Sequence, residues 1–376
     1  MNNRIADIII IGGGIVGLAH AYAAAQRNLK VVVFERNESA VGASVRNFGL
    51  IWPIGQLPGT MLNRALRSRE IWQELTGKAG FWLNHSGSMH LAYHQDELTV
   101  LEEFVTMHRD NVYDFQLLSK QEVAEKSTVV NKKGLLGGLW SASELTVDPR
   151  EAIRKIALYL EKQTSVRFEY STAITQIEGS QAIAADGSIW QAEKIIVCSG
   201  ADFEHLYPEF FNEIRMTKCK LQMMRTLPYK HLNIGPTLCA GLTLRHYDAF
   251  KHCPSLPLVS KRYDDEYPEF KEFGIHVLLA QNGSGELVIG DSHEYGLNPK
   301  PFDQEKINQI ILNYLKSFVS IDNLEIAERW HGIYPKLFGE TEIVHEIEPG
   351  VLIVNALGGA GMTLSFGLAE ENFAGF

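Results

Sequence analysis

The stretch "IIIIGGGIVGLAH" at residues 8–20 decides the fold. Residues 5–11 form a continuous β-branched apolar run that stops at a glycine, the pattern of a parallel strand buried on both faces. Gly12, Gly14 and Gly17 then spell G-x-G-x-x-G. In that spacing the first glycine permits a tight turn and the second lets a pyrophosphate approach the backbone. The third brings the next helix down onto the strand. Residues 15–27, "IVGLAHAYAAAQR", predict that helix, with its N-terminal amides and dipole facing the diphosphate. "KVVVFER" predicts a second strand ending at Glu35, whose carboxylate can accept hydrogen bonds from adenosine ribose hydroxyls. The acid also argues against NADP, whose 2′-phosphate it would repel. NAD and FAD both remain open. The competing reading is a glycine turn in an ordinary α/β core; the ordered set of strand, motif, helix, strand and acid outweighs it.

Outward from this stretch, composition narrows the function classes. The chain has 376 residues, 45% of them hydrophobic, enough for more than one globular unit. Its net charge of −10, with no Lys/Arg cluster, argues against a nucleic-acid partner. Cys198, Cys219, Cys239 and Cys253 are scattered without a CxxC pair, so neither a disulfide framework nor a zinc site is expected, and a reducing cytoplasm fits. His246 and His252-Cys253 imitate a metal cluster, but their spacing matches no defined site. The apolar N-terminal run holds glycines 12, 13, 14 and 17 and lacks an A-x-A context, unlike a signal peptide. No run reaches the roughly 20 apolar residues of a membrane span.

Along the rest of the chain, residues 59–76 carry a helical pattern and 87–93 a strand, followed by a mostly helical stretch to about 127. Asp148 and Pro149 are the N-cap and first residue of the next helix. Short strands fill 166–190, with a turn at Asp186-Gly187. "AEKIIVCSGAD" is a buried strand running into Gly200. Strands of a second sheet are expected at 217–226, 236–247, 275–281 and 286–293, with "QNGSGE" as the last hairpin turn. An amphipathic helix at 303–318 follows, then "EIAERWHGIYP" and strands at 341–354. The stretch "ALGGAGMTLSFGLAEE" repeats the opening logic: strand, then Gly358, Gly359 and Gly361, then helix. A nucleotide site in two widely separated pieces suits a long cofactor such as FAD.

The pieces "IIIIGGGIVGLAHAYAAAQRNLKVVVFER", "GASVRNFG", "VDPRE", "AEKIIVCSGAD", "KLQMMRT", "ERWHGIYP" and "NALGGAGMTLSFGLAEE" span nearly the whole chain in order. Together they resemble the FAD-dependent oxidoreductases of the D-amino acid oxidase, glycine oxidase and sarcosine oxidase superfamily. The resemblance implies an α/β, two-domain fold: a Rossmann-like FAD domain from 1–86, 141–217 and 325–376, and a substrate domain on an antiparallel sheet from 87–140 and 218–324. It places Gly12, Gly14, Ile15, Val16, Gly17, Glu35 and Arg36 on the ADP half of a non-covalent FAD. Ser44, Arg46, Asn47 and Gly49 fall beside the diphosphate and flavin. Ile174 meets the adenine through its backbone, and Ser199 and Gly200 lie near the ADP half. Gly358, Gly359, Gly361, Met362 and Thr363 face the flavin pyrimidine, where a helix start stabilises negative charge on the reduced ring.

Two departures bear on the substrate. Many amino-acid oxidases of this group carry W-x-G-[LI]-R-P, whose Arg clamps a carboxylate; here the run is Trp330-His331-Gly332-Ile333-Tyr334-Pro335. Sarcosine-oxidase-like members carry a Lys near the flavin, where "ELVIGDSH" places Val288. "GLTLRHYDAFKHCPS" and "IGDSHEYG" resemble a subgroup found alongside phosphonate-degrading enzymes. That resemblance implies oxidation of the C–N bond of a small anionic amine, an aminophosphonate or its N-methyl derivative. Oxygen or another electron acceptor would complete the reaction. Arg245, His246 and Lys261 are candidates for the missing positive charge, and Phe48, Tyr247, His293 and Tyr334 for holding substrate. No catalytic base is assigned. The alternatives are an amino-acid oxidase, a flavin dehydrogenase passing electrons to a quinone or carrier, and a non-catalytic FAD-binding scaffold.

Overall fold

In the computed structural model, which describes residues 4–109 and 113–374, the glycine-terminated strand Ile5–Ile11 lies at the centre of an eight-stranded sheet. It pairs in parallel with Val31–Phe34 on one side and Ile189–Val197 on the other. Val166–Glu169 and Val351–Asn355 extend the parallel core at its two flanks. The hairpin Ile174–Glu178/Gln181–Ala184 and the strand Ile343–Glu348 are antiparallel additions. The β-branched run is explained by this place: Ile8, Ile9 and Ile10 are essentially inaccessible and feed separate cores on the two faces of the sheet.

Four helices cover one face: Ile15–Ala25, Thr60–Ala79, Pro149–Gln163 and the return helix Gly361–Asn372. Small residues set their spacing. A side chain on Gly367 of the return helix would strike the backbone of Arg64 in Thr60–Ala79. Arg64 is buried and grips Glu371 with Nε and Nη2 (3.0 and 2.6 Å) and Glu342 with Nη1 (2.7 Å). Burial of a guanidinium is tolerable only with partners of this kind.

The second sheet has nine strands. Its path runs Glu294–Gly296, Thr217–Thr226, Leu287–Gly290, Leu278–Gln281, Thr237–Cys239, Ser88–Ala92, Gly137–Ser141 and Phe115–Ser119. All pairings are antiparallel except Thr237–Cys239 with Ser88–Ala92. The long strand Ile326–Lys336 pairs along Thr217–Thr226 from Thr217↔Lys336 to Thr226↔Ile326. Helices Gln95–Met107, Leu256–Glu266 and Glu305–Phe318 pack on this sheet around the largest apolar core.

Several expected boundaries move. The strand expected at 236–247 stops at Cys239, and Gly241–Arg245 is a 3₁₀ turn. The turn is forced where a side chain on Gly241 would collide with Glu97 and Tyr263, and where Leu242 N–H donates to Tyr314 Oη (3.1 Å). The helical stretch before 127 is broken by the strand Phe115–Ser119, which completes the sheet edge beside Gly137–Ser141. By its pairing, Ile326–Lys336 lies with the second sheet and not with the first, where the limit at 325 had put it.

Asp148 caps Pro149–Gln163 by accepting from Arg150 N–H (3.0 Å), and its other oxygen accepts from Arg150 Nη2 (2.6 Å). Replacing Asp148 with Ala should destabilise the protein by about 1–2 kcal/mol, the upper part of the range for a lost N-cap. Thermal and urea unfolding of Asp148→Ala against wild type check this; an unchanged midpoint would show that the cap contributes nothing.

Candidate active site

The carboxyl ends of the central parallel strands open into a cavity of about 1250 Å³, the place where doubly wound sheets bind ligands. Its floor is the first glycine turn. Gly12 sits at φ +112°, and a side chain there would strike the carbonyl of Cys198 on the neighbouring strand end. Gly17 does not line the cavity; a side chain on it would collide with the carbonyl of Gly12, so it fixes the helix approach. Gly14 is the N-cap and offers no cap side chain, while Ser44 Oγ accepts from Ile15 N–H (2.9 Å). Glu35 is buried. Its Oε2 accepts from Gly13 N–H (3.0 Å), and its Oε1 from the N–H and Nδ2 of Asn37 (3.0 and 2.9 Å). The carboxylate therefore organises the glycine turn before any ligand arrives.

Ile15, Val16, Arg36, Ile174, Ser199 and Gly200 also line this end. Arg36 pairs with Asp202 (2.5 Å), and Asn355 Nδ2 donates to the Gly200 carbonyl (3.0 Å), tying two strand ends together. On the cavity's flank, Asn47 Nδ2 donates to the carbonyls of Ala43 and Ser44 (2.9 and 3.0 Å), while its Oδ1 accepts from Gly49 N–H (2.7 Å). Gly49 does not line the cavity; it takes φ +76° where a side chain would strike the Val147 carbonyl.

The second glycine turn closes the opposite wall. Gly358, Gly359, Gly361, Met362 and Thr363 line it, with Gly358 at φ +56°. The return helix begins here without a capping side chain. Thr363 Oγ1 accepts from Trp52 N–H (3.0 Å), which docks the helix start on the cavity wall.

A scan of family models matches residues 7–372 to DAO, FAD dependent oxidoreductase. The chain belongs to the DAO family. A glycine oxidase from Bacillus licheniformis is 23% identical over 346 residues, which cover 88% of this chain and 81% of the relative. Two other relatives match over only 54% and 55% of their own length. The crystal structure of glycine oxidase from Geobacillus kaustophilus superposes with a TM-score of 0.79 at 19% identity, covering 98% of this chain and 94% of that one. Dithionite-reduced L-alpha-glycerophosphate oxidase from Mycoplasma pneumoniae, with FAD bound, gives 0.74 at 18% identity over 99% and 95%. This DAO-family protein is an FAD-dependent oxidoreductase of mixed α/β, two-domain fold. The residues present fit FAD: two glycine turns, two helix starts whose N-cap residues offer no capping side chain, and the buried acid Glu35 flank one cavity. Among the described residues there is no metal-holding cluster, and no helix is long and apolar enough to cross a membrane.

The far end of the DAO-family cavity is aromatic and titratable. Phe48, His246, Tyr247, His276, Asp291 and His293 line it, with Tyr334 on the long strand. His246 is exposed and lines the cavity; desolvation and the neighbouring His276 and His293 rings hold its pKa well down. Tyr247 stacks on Trp52 (5.8 Å between centroids). Tyr334 lies opposite Cys219, and desolvation pushes its hydroxyl pKa well up, so it remains a neutral donor.

The positive charges are arranged differently from the sequence expectation. Lys261 is on the outer surface, paired with Asp265, and does not line the cavity. Its position on the open face of Leu256–Glu266 places it one helix layer away. Arg245 lines the cavity, but Asp264 holds its guanidinium (2.8 Å). Among the cavity-lining Arg and Lys side chains, Arg46 and Lys336 are the two without a carboxylate partner among the described residues. Lys336 was not singled out from sequence; its signal was an i,i+2 spacing from Tyr334 on one strand face. Both reach the second glycine turn. Side chains on Gly358 and Gly359 would lie 3.6 Å from Lys336 Nζ and 3.7 Å from Tyr334 Oη. Val288 is buried in the core of the second sheet opposite Arg225 and does not line the cavity.

Replacing Glu35 with Ala removes both the acid and the brace of Gly13. The expected outcome is weaker FAD retention by about 1.5–3 kcal/mol, the range for hydrogen bonds to a charged group. Fluorescence titration of apoprotein with FAD measures it; equal affinity in variant and wild type would remove Glu35 from the site.

Proposed function

We propose that this enzyme oxidises the C–N bond of a small amine carrying a phosphonate, either a primary aminophosphonate or its N-methyl form. One observation carries the reading: the cavity-facing residue of the long strand is Tyr334, with Lys336 beside it, in place of a bidentate Arg. A carboxylate is matched by the planar fork of an arginine. A tetrahedral phosphonate, with three acceptor oxygens, is matched instead by separate donors converging from different directions. The Tyr334 hydroxyl and the Lys336 ammonium provide two such donors at one end of the cavity.

Bound FAD supplies the two-electron acceptor for the hydride that leaves the α-carbon. The chain's residues supply position and exclusion of water. Tyr334 and Lys336 hold the anion, while Phe48 and Tyr247 wall the carbon skeleton. Gly12, Gly14 and Glu35 hold the ADP half, with Ser199, Gly200 and the Ile174 backbone beside it. Ser44, Arg46 and Asn47 would hold the diphosphate and flavin, and the helix start at 359–363 would stabilise negative charge on the reduced ring. Water then hydrolyses the imine to an aldehyde and an amine or ammonia.

Anaerobic stopped-flow reduction of the bound flavin is the test. The panel is 2-aminoethylphosphonate, its N-methyl form, glycine, sarcosine, D-alanine and a neutral alkylamine. The phosphonates should give the highest rate over dissociation constant; an amino acid in first place would overturn the phosphonate assignment. Lys336→Ala should weaken phosphonate binding by about 1.5–3 kcal/mol, the cost of losing a charged hydrogen bond, and leave the neutral amine unchanged. An equal loss for both would remove Lys336 from the anion site.

A further inference from the structure

The cavity contains a buried acid–base cluster that neither the cofactor cradle nor the anion site uses. Asp291 is buried, and its Oδ1 accepts no hydrogen bond. That oxygen lies 3.4 Å from His276 Nδ1 and 3.8 Å from His293 Nδ1. His293 Nδ1 is 2.9 Å from the Gly274 carbonyl and donates its hydrogen there. His276 is equally buried, and its Nε2 has no partner. Its ring lies parallel to that of His246, 3.9 Å between centroids. A buried polar atom without a partner costs stability unless something supplies one, and both of these residues belong to the wall of one cavity.

We propose that His276 and Asp291 together take the proton from the ammonium form of the incoming substrate, so that the amine is neutral when it is oxidised. This rests on the reading of the site as a C–N oxidation centre. An ammonium has no lone pair and cannot assist loss of hydride from the adjacent carbon. In the transfer one N–H bond of the ammonium breaks and its electron pair stays on nitrogen. The proton forms a new N–H bond at His276 Nε2, and the Asp291 carboxylate offsets the imidazolium charge. No electron is exchanged.

The surroundings set the direction and the limit. Burial pushes His276 and His246 down and Asp291 up, so the empty cluster resists charge. A cationic ligand reverses that balance by drawing the carboxylate into its ionised form. Two imidazolium rings stacked at this distance would repel, so the cluster stores one proton at a time. Facing it are Arg245 and Tyr247 from the His246 turn, His90 from behind His276, and Tyr295 and Cys219 from neighbouring strands. Tyr334 and Lys336 face it from the long strand. Lys336 opposes protonation of His246, and His293 and His90 oppose that of His276; Asp291 favours the charged form of His246 and lies 3.4 Å from His276 Nδ1.

The experiment measures flavin reduction from pH 6 to 10 with the best amine of the panel, in wild type, Asp291→Asn and His276→Gln, each first checked for full FAD content. In wild type the acid limb of the profile should lie below the amine's own pKa. In both variants it should move up to that pKa, with at least a tenfold loss at pH 7 and recovery to within twofold at the top of the range. A loss equal at every pH, or an unmoved limb, would overturn the proposal. A second readout needs no turnover. With ring-labelled histidine, an amine analogue lacking an α-hydrogen should convert the His276 resonance to the imidazolium form in wild type and not in Asp291→Asn. A ring that stays neutral on binding would overturn the assignment of the proton. If no amine reduces the flavin, the oxidation reading fails on its own, and the resonance still reports on the cluster.

Discussion

The flavin domain depends on a close approach of backbone to backbone. Gly17 lets the opening helix sit directly over the Gly12 carbonyl, and Gly12 lets that turn sit against Cys198 on the adjacent strand. Much of the flavin site follows from this approach. It aims the helix start into the strand-end cavity, puts Glu35 within reach of Gly13 N–H, and leaves the turn free of side chains. A methyl group at either glycine would strike a main-chain carbonyl first, which cannot move aside as a flexible side chain can.

At its other end the cavity is organised by charge. Most cations on its wall are already committed to acids of the protein: Arg36 to Asp202, Lys218 to Glu204 and Arg245 to Asp264. Such pairs shape the wall without projecting net charge into it. The uncommitted groups are few: Arg46 on the cavity's flank, Tyr334 and Lys336 on the long strand, and the histidines with Asp291. A substrate with an anion at one end and an amine at the other meets complementary groups at both. The cost of burying unpaired polar atoms in the free protein is the counterpart of that selectivity.

The cofactor half was legible in the sequence because backbone rules write it. A glycine needed for a turn or a close approach leaves a letter that other residues cannot replace, and β-branched runs mark strands buried on both faces. The substrate half was legible only in part. Tyr334 stood out as a departure from a motif, whereas Lys336 needed the knowledge that 334 and 336 share a strand face toward the cavity. Arg245 and Lys261 looked alike as charges in sequence. Their partners Asp264 and Asp265, on one short helix, separate them, because pairing depends on which face of that helix looks inward. His276 lay in no motif, and Asp291 lay inside "IGDSHEYG" without a role assigned to it; strands that end near each other in space bring them together. The turn at Gly241–Arg245 was missed for the same reason, since Glu97, Tyr263 and Tyr314 enforce it from distant positions.

The two glycine turns that flank the cavity, at Gly12 and at Gly358–Gly361, are separated by nearly all of the described sequence. Synthesis runs from the N-terminus, and domains fold as units when their parts are present. The opening strand, helix and second strand can therefore pair on a growing chain, but the wall that completes the site emerges only near the end. Cofactor capture in the cell is then a late event, after the return helix docks through Arg64. Until that moment the unfinished sheet has an unpaired edge on Ile195–Val197, where Val351–Ile353 will add. An edge of that kind can recruit strands from other chains until the last strand of the sheet closes it.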